Sequence, residues 1–101
     1  MEKKINTAID FELENGAIVP MTLTFYAIYQ LKNKNKPLYD RYNKVMTKGA
    51  QDELDMVTVL YTAYCCANAE PMSEEEFMMN LGSDRKAVAE AIQKLTQPKK
   101  Q

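Results

Sequence analysis

Residues 5–14 alternate between apolar and polar positions. The side predicted to face inward carries Ile5, Thr7, Ile9, Phe11 and Leu13. A period of two residues is typical of a half-buried β-strand. Asn15-Gly16 follows, a pair that favours a tight hairpin turn, and residues 17–19 then form a short return strand that ends at Pro20. The pattern predicts a β-hairpin over residues 1–20, in preference to a short helix capped by Gly16.

Beyond residue 20 the apolar positions recur every three or four residues, which is the spacing of amphipathic helices. A first helix is expected from Leu23 to Asn33, capped by Thr22 or Thr24. A second begins at Pro37, a residue suited to a first helical turn, and ends at Gly49. Its predicted core stripe consists of Leu38, Tyr42, Val45 and Met46.

Asp52-Glu53 opens a third helix, whose body from Met56 to Ala67 is apolar on nearly every side. A helix of this kind is usually the buried centre of a bundle. The alternative is that one of its faces binds a partner. If Tyr61 and Tyr64 are buried, each hydroxyl needs a hydrogen-bond partner.

A fourth helix is predicted after Ser73, which forms a capping box with Glu76. It ends at Gly82, and Asp84 or Ser83 caps a fifth helix whose core stripe is Val88, Ile92 and Leu95. The predicted fold class is mostly α (α+β). A single domain over residues 1–101 comprises a hairpin (1–20), a compact bundle of about five short helices (21–97) and a frayed tail (98–101).

Composition excludes several classes of function. The chain carries a net charge of -1 and no histidine, and its three glycines are far apart. An imidazole base, a phosphate-binding glycine loop and an ordinary zinc site are therefore absent, and we expect no enzymatic activity and no cofactor. Cys65 and Cys66 are adjacent, and we interpret them as buried thiols in a reducing compartment. No apolar leader or membrane-length apolar run is visible, so a cytoplasmic location is predicted.

Nucleic-acid binding is disfavoured, although two features are compatible with it. The first is a basic stretch from Lys32 to Lys48 that contains a single acidic residue, Asp40, and interleaves Tyr39 and Tyr42. The second is a helix, glycine turn and helix over residues 74–95, the frame of a helix-turn-helix DNA reader. Three glutamates open this segment, and phosphate would repel them. A small DNA-binding regulator is the alternative function.

Protein binding accounts better for the remaining features. The chain has seven methionines, of which Met72, Met78 and Met79 cluster around the fourth helix. Methionine is flexible and polarizable, and it is favoured on surfaces that accept varied apolar partners. We predict that Tyr61, Tyr64, Met78 and Met79 line a partner-binding groove. An apolar patch that accepts a helix also accepts a second copy of the chain, so self-association is a further expectation.

About four fifths of the chain resembles the small tail assembly chaperones of siphophages and prophages of Gram-positive bacteria. The resemblance is carried by MTLTFYAIYQLKNKNK at residues 21–36 and PLYDRYNKVMTK at 37–48. It continues through the acidic-to-apolar helix at 52–67 and through residues 72–95, with MSEEEF at 72–77.

The resemblance implies a non-enzymatic role in virion morphogenesis. Chaperones of this family bind the long helical tape measure protein in the infected cell and help tail tube protein to polymerise around it. They are absent from the mature virion. The implied partners are therefore the tape measure protein and the tail tube protein, in the cytoplasm of the host bacterium.

Overall fold

The computed structural model describes residues 8–96, and predictions for residues 1–7 and 97–101 lie outside this range. A two-stranded antiparallel hairpin is followed by five helices, which confirms the predicted fold class. The elements are β1 (Ile9–Glu12), β2 (Ile18–Met21), α1 (Phe25–Lys34), α2 (Lys36–Lys48), α3 (Glu53–Ala67), α4 (Glu74–Leu81) and α5 (Arg85–Thr96).

The hairpin turn is one residue longer than the Asn15-Gly16 pair. The Leu13 amide donates to the Ala17 carbonyl at 2.8 Å, and the Gly16 amide donates to the Leu13 carbonyl at 2.9 Å. Gly16 has a φ of 91°, a left-handed conformation that glycine adopts without steric cost. The loop therefore consists of three residues and ends in a left-handed glycine, a common hairpin connection.

The prediction that the return strand ends at Pro20 was wrong, because β2 continues to Met21. Pro20 pairs with Asp10 in the register of the hairpin. Its carbonyl accepts a hydrogen bond from the Asn68 side chain at 3.2 Å, so this residue's backbone faces away from β1. A missing N–H costs the hairpin nothing at such a position.

Helix α3 is the centre of the molecule. Its residues 58–64 are all buried, and α1, α2, α4, α5 and β2 pack around it. Thr62 is fully buried and donates its hydroxyl to the Thr58 carbonyl at 2.7 Å, which satisfies a polar group in the core. The interpretation of the third helix as the buried centre of a bundle is confirmed.

The predicted helix starts follow from side-chain caps. Thr24, Asp52, Ser73 and Asp84 each accept a hydrogen bond from a backbone amide of the turn that follows. The first helix starts after Thr24, so Leu23 precedes it rather than opening it. Asn35, which was not predicted as a cap, accepts from the Leu38 amide and starts α2, with Pro37 in its first turn.

One predicted core position of α2 was wrong. Leu38 and Tyr42 are buried, but Met46 is exposed. Met46 lies about 100° around the helix from Val45, which is half-buried, so it falls at the edge of the buried stripe and reaches solvent. In α5, Val88, Ile92 and Leu95 pack against the core as predicted, and Ala91 is the most buried residue.

Candidate protein-binding groove

Tyr61 and Tyr64, two of the predicted partner-binding residues, lie in the core of this structure. Their rings pack against Phe77 of α4, with centroid separations of 5.3 and 5.0 Å. The Tyr61 hydroxyl donates to the Met72 carbonyl at 2.8 Å, and the Tyr64 hydroxyl accepts from the Met72 amide at 3.0 Å. The two tyrosines therefore hold the segment that connects α3 to α4.

Burial accounts for the electrostatics of this cluster. It raises the pKa of the Tyr61 hydroxyl, because an ionised phenolate would lose its hydration. The same cause raises the pKa of both neighbouring thiols, that of Cys66 to about 11. These groups stay neutral at physiological pH, which suits a packing role.

Met78 and Met79 are both on the surface of α4, with 38% and 75% of their area exposed. They face different directions, because adjacent residues of a helix are about 100° apart. Met78 lines a groove between α3, α4 and α5, whereas Met79 is not among the residues that line it. The structure thus brings only one of the four predicted partner-binding residues to this groove.

The groove has a volume of about 400 Å³. Its walls come from the first half of α3, the end of α4 and the start of α5. Apolar side chains dominate the lining: Leu54, Met56, Val57, Met78, Leu81 and Val88. Leu54 is exposed although it belongs to the central helix, so this face of α3 remains uncovered.

A charged pair borders the groove. The guanidinium of Arg85 donates to both carboxylate oxygens of Glu53, at 2.6 and 2.9 Å, and so joins the first turns of α5 and α3. This contact lowers the pKa of Glu53. Asp84 and Ser83 lie on the same rim. An apolar floor with a polar rim is the usual anatomy of a protein-binding surface.

The α4–turn–α5 segment differs from a helix-turn-helix in its packing. In that motif the first helix supports the second, whereas here α4 packs on α3, and α5 packs on α3 and β1. Lys86 and Gln93 are exposed, but Arg85 is paired with Glu53. A DNA-reading helix would need that arginine free to contact phosphate or bases.

The basic stretch of α1 and α2 is partly neutralised. Lys36 pairs with Asp40 at 3.1 Å, and Arg41 pairs with Glu74 of α4 at 2.7 Å. Arg41 also donates to the Thr58 hydroxyl at 3.1 Å. Tyr42 is buried, so it is not available to stack on a base.

Within residues 8–96 no three acidic or cysteine side chains cluster as metal ligands would. No helix in that range is long and apolar enough to cross a membrane. No protein-family model, curated protein or solved structure matches the chain.

The residues that sequence reasoning missed are Leu54, Met56, Val57 and Val88. Their apolar character was visible, but α3 is apolar on nearly every side. Nothing in its periodicity distinguished the face that neighbouring helices cover from the face they leave open. The signal available in the sequence was the pair of acidic residues at the start of α3, since a helix end that carries Asp52 and Glu53 has to reach solvent.

Proposed function

We propose that the protein is a non-enzymatic tail assembly chaperone that binds the tape measure protein in the host cytoplasm. The observation that carries the proposal is the open apolar groove between α3, α4 and α5. A long helical protein presents apolar stripes that aggregate before assembly. A groove of this kind accepts one such stripe and shields it from water.

The chemistry of the groove suits a partner with varied apolar residues. Met56 and Met78 have unbranched side chains that adjust to different shapes. The Glu53–Arg85 pair gives a partner helix polar groups to contact at the rim. The walls are formed by residues 52–67 and 72–95, two of the blocks that resemble tail assembly chaperones.

The test is co-expression of the chain with the tape measure protein encoded downstream, followed by a pull-down. We expect the tape measure protein to become soluble and to co-purify. Met78→Asp should abolish both effects, because it places a charge in the groove. Leu54→Asp should do the same from the opposite wall.

Met79→Asp is the matched control, since it introduces the same charge on the neighbouring residue of α4, outside the groove. We expect it to retain binding. A tape measure protein that remains insoluble with the wild-type chain would contradict the proposal, as would equal binding by all three variants. Salt-sensitive DNA binding that Lys86→Glu abolishes would instead favour the DNA-binding regulator.

A further inference from the structure

The hairpin has an open edge on the outer side of β1. Asp10 pairs with Pro20, which has no N–H and whose carbonyl bonds with Asn68 instead of β1. Antiparallel pairs alternate between bonded and non-bonded positions, so the backbone groups of Asp10 and Glu12 both point away from β2. Within residues 8–96 no other group forms a hydrogen bond with these backbone amides and carbonyls.

One end of this edge already bonds with the backbone of another element. Glu14 is the next residue that points outward, and its amide donates to the Asn80 carbonyl of α4 at 2.8 Å. The outer edge of β2 is blocked, because Pro20 lacks a donor and Asn68 occupies its carbonyl. Asp10 and Glu12 therefore form the part of the hairpin to which an extended chain can add by main-chain hydrogen bonds.

A groove runs along the open edge, with α5 as its opposite wall. Residues 9–14 form one side, and the other side extends from Asp84 to Lys94. That distance is about 15 Å at 1.5 Å per helical residue, so an extended segment of about five residues spans it. Ala87 and Ala91 line the α5 wall, and their small side chains leave room for the side chains of an added strand.

The groove is strongly acidic. Among the described residues that line it, Lys94 is the one basic residue, whereas five are acidic: Asp10, Glu12, Glu14, Asp84 and Glu90. No salt bridge within residues 8–96 neutralises any of the five carboxylates. Opposite charges on directly paired positions stabilise a sheet, and like charges destabilise it. The charge of the groove therefore selects a basic strand.

We infer that the open edge of β1 binds an extended basic segment of another protein as a third strand. Residues of that segment opposite Asp10 and Glu12 point to the same side of the sheet as these carboxylates, so they are lysines or arginines. The residues between them point to the side of Ile9 and Phe11 and lie against α5, so they are small or apolar. The inference is independent of the proposed function, because neither Asp10 nor Glu12 lines the groove between α3, α4 and α5.

The same features exclude other occupants. A second copy that paired through its own β1 would set Asp10 and Glu12 against the same carboxylates of the first copy, which repel them. A nucleic acid would bring its phosphates to an acidic groove. A helix would leave the open edge unpaired, because its backbone groups bond with one another.

The first experiment uses the full chain and a short synthetic peptide in which lysine and valine alternate. Its twin has a glutamate in place of each lysine. Isothermal titration at moderate salt should show the lysine peptide binding at least about tenfold more tightly than its twin. Equal affinities, or no binding of the lysine peptide, would overturn the inference.

Backbone methylation of the lysine peptide tests the strand pairing itself. One form is N-methylated at each lysine and the other at each valine, and both keep the charge of the parent. The lysine amides face β1 in an antiparallel addition, and the valine amides face it in a parallel one. One form should therefore lose at least about tenfold more affinity than the other. Equal affinities of the two forms would overturn the inference, because charge alone would then account for binding.

The Asp10→Asn/Glu12→Gln double variant keeps the backbone of the edge and removes two carboxylates. It should bind the lysine peptide at least about tenfold more weakly. Its thermal unfolding should match the wild type, because both side chains are exposed. Glu70→Gln/Glu75→Gln is the matched control, since it removes the same charge from exposed positions outside the groove, and it should bind normally.

Unchanged affinity in the Asp10→Asn/Glu12→Gln variant would contradict the inference, as would an equal loss in the control. Loss of tape measure binding in Met78→Asp leaves the peptide affinities unchanged, so the two proposals fail separately.

Discussion

Among single residues, Tyr61 and Tyr64 fix the segment between α3 and α4 through the two backbone groups of Met72. Replacing either tyrosine by phenylalanine keeps the ring against Phe77 and removes one hydrogen bond. We expect Tyr61→Phe and Tyr64→Phe each to lower the free energy of unfolding by about 1 kcal/mol, because a partly buried backbone group loses its partner. Urea denaturation measures the change.

Tyr26→Phe is the control for this pair, since it removes a hydroxyl whose hydrogen bond lies on the surface. Its free energy of unfolding should stay within about 0.5 kcal/mol of the wild type. If Tyr61→Phe and Tyr64→Phe also kept a free energy of unfolding within about 0.5 kcal/mol of the wild type, the Met72 contacts would not stabilise the fold.

The thiol of Cys66 should resist alkylation in the folded protein. Burial raises its pKa from an ordinary value of 9.0 to about 11, so little thiolate exists at neutral pH. In a Cys65→Ser background, the rate of reaction with iodoacetamide should rise with a midpoint near pH 11 when folded, and near the ordinary value in urea. A native midpoint below pH 9 would contradict this assignment.

The raised pKa of the Cys66 thiol makes the stability of the fold depend on pH. The folded state holds the proton more tightly than the unfolded state, so this contribution is fully present below about pH 9. It is lost as pH rises towards 11. Urea titrations between about pH 9 and pH 11 should show that Cys66→Ala removes this part of the pH dependence of the free energy of unfolding.

The sequence predicted that the hydroxyls of Tyr61 and Tyr64 need hydrogen-bond partners, but it did not predict which groups these partners are. A buried tyrosine requires a partner for its hydroxyl, and the apolar body of α3 made burial the expected state. Met72 lies beyond the bend at residues 69–70, and only the three-dimensional course of that bend brings its backbone to both hydroxyls.

Among the secondary-structure elements, the helix starts were predictable because a cap bonds within its own first turn. Thr24, Asp52, Ser73 and Asp84 act over three residues or fewer. The continuation of β2 through Pro20 was not predictable from Pro20 itself, because it follows from a hairpin register that leaves the backbone of Pro20 facing away from β1. Local signals therefore predicted most helix starts, but they missed the Asn35 cap of α2 and placed the start of α1 two residues early.

Gly82 connects two elements that are distant in sequence. Its φ is 75°, and a Cβ at this position would contact the Glu14 side chain of the hairpin loop. The Glu14 amide also donates to the Asn80 carbonyl at 2.8 Å, so the loop is docked against the end of α4. Gly82→Ala should destabilise the fold by about 1–2 kcal/mol from backbone strain, with a smaller further loss because the Glu14 side chain has to move aside.

Gly49→Ala provides the comparison, since Gly49 also has a positive φ, 87°, but nothing lies within 4 Å of an added Cβ. Thermal unfolding of both variants separates the strain of the backbone from the contact with the hairpin. We expect Gly82→Ala to be the less stable of the two. Equal losses would mean that the hairpin loop adjusts to the methyl group without cost.

The Arg41–Glu74 pair joins α2 to α4. The hydrogen bond from Arg41 lowers the pKa of Glu74 below its ordinary value of 4.5. The resulting stability is present above that value and is lost as pH falls through the lowered pKa. Since the pair is partly exposed, Glu74→Gln should cost about 0.5–1 kcal/mol at pH 7 and less below pH 4.

Glu75→Gln is the matched control, because it removes a carboxylate from the same helical turn without breaking the pair. Both variants weaken the interaction with the helix dipole, so their difference reports the contact with Arg41. A pH-independent difference in urea denaturation would contradict the assigned ion pair.

For the molecule as a whole, the sequence predicted a hairpin and five helices around a buried third helix, but not the groove. The order and type of the elements follow from the periodicity of apolar residues, since each element buries the side that its pattern makes apolar. The groove follows from how completely the neighbours cover α3. Leu54 and Leu60 look alike in the sequence, yet one is exposed and the other is fully buried.

That contrast leads to a test of cooperativity. Every helix and β2 pack on α3, so loss of its central side chain should weaken the whole fold together. We expect Leu60→Ala to lower the free energy of unfolding by about 3 kcal/mol, through lost burial and the cavity left behind. Leu54→Ala should cost less than about 1 kcal/mol, because its side chain is already exposed.

Circular dichroism at the helix band and tyrosine fluorescence should report the same urea midpoint in the wild type and in both variants. In Leu60→Ala both signals should shift together to a lower urea concentration. If the helix signal survives while the tyrosine signal is lost, then helices persist without the packing of the core, and the fold does not unfold as one cooperative unit around α3. A small effect of Leu54→Ala would also establish that changes of binding in the groove arise from the surface and not from unfolding.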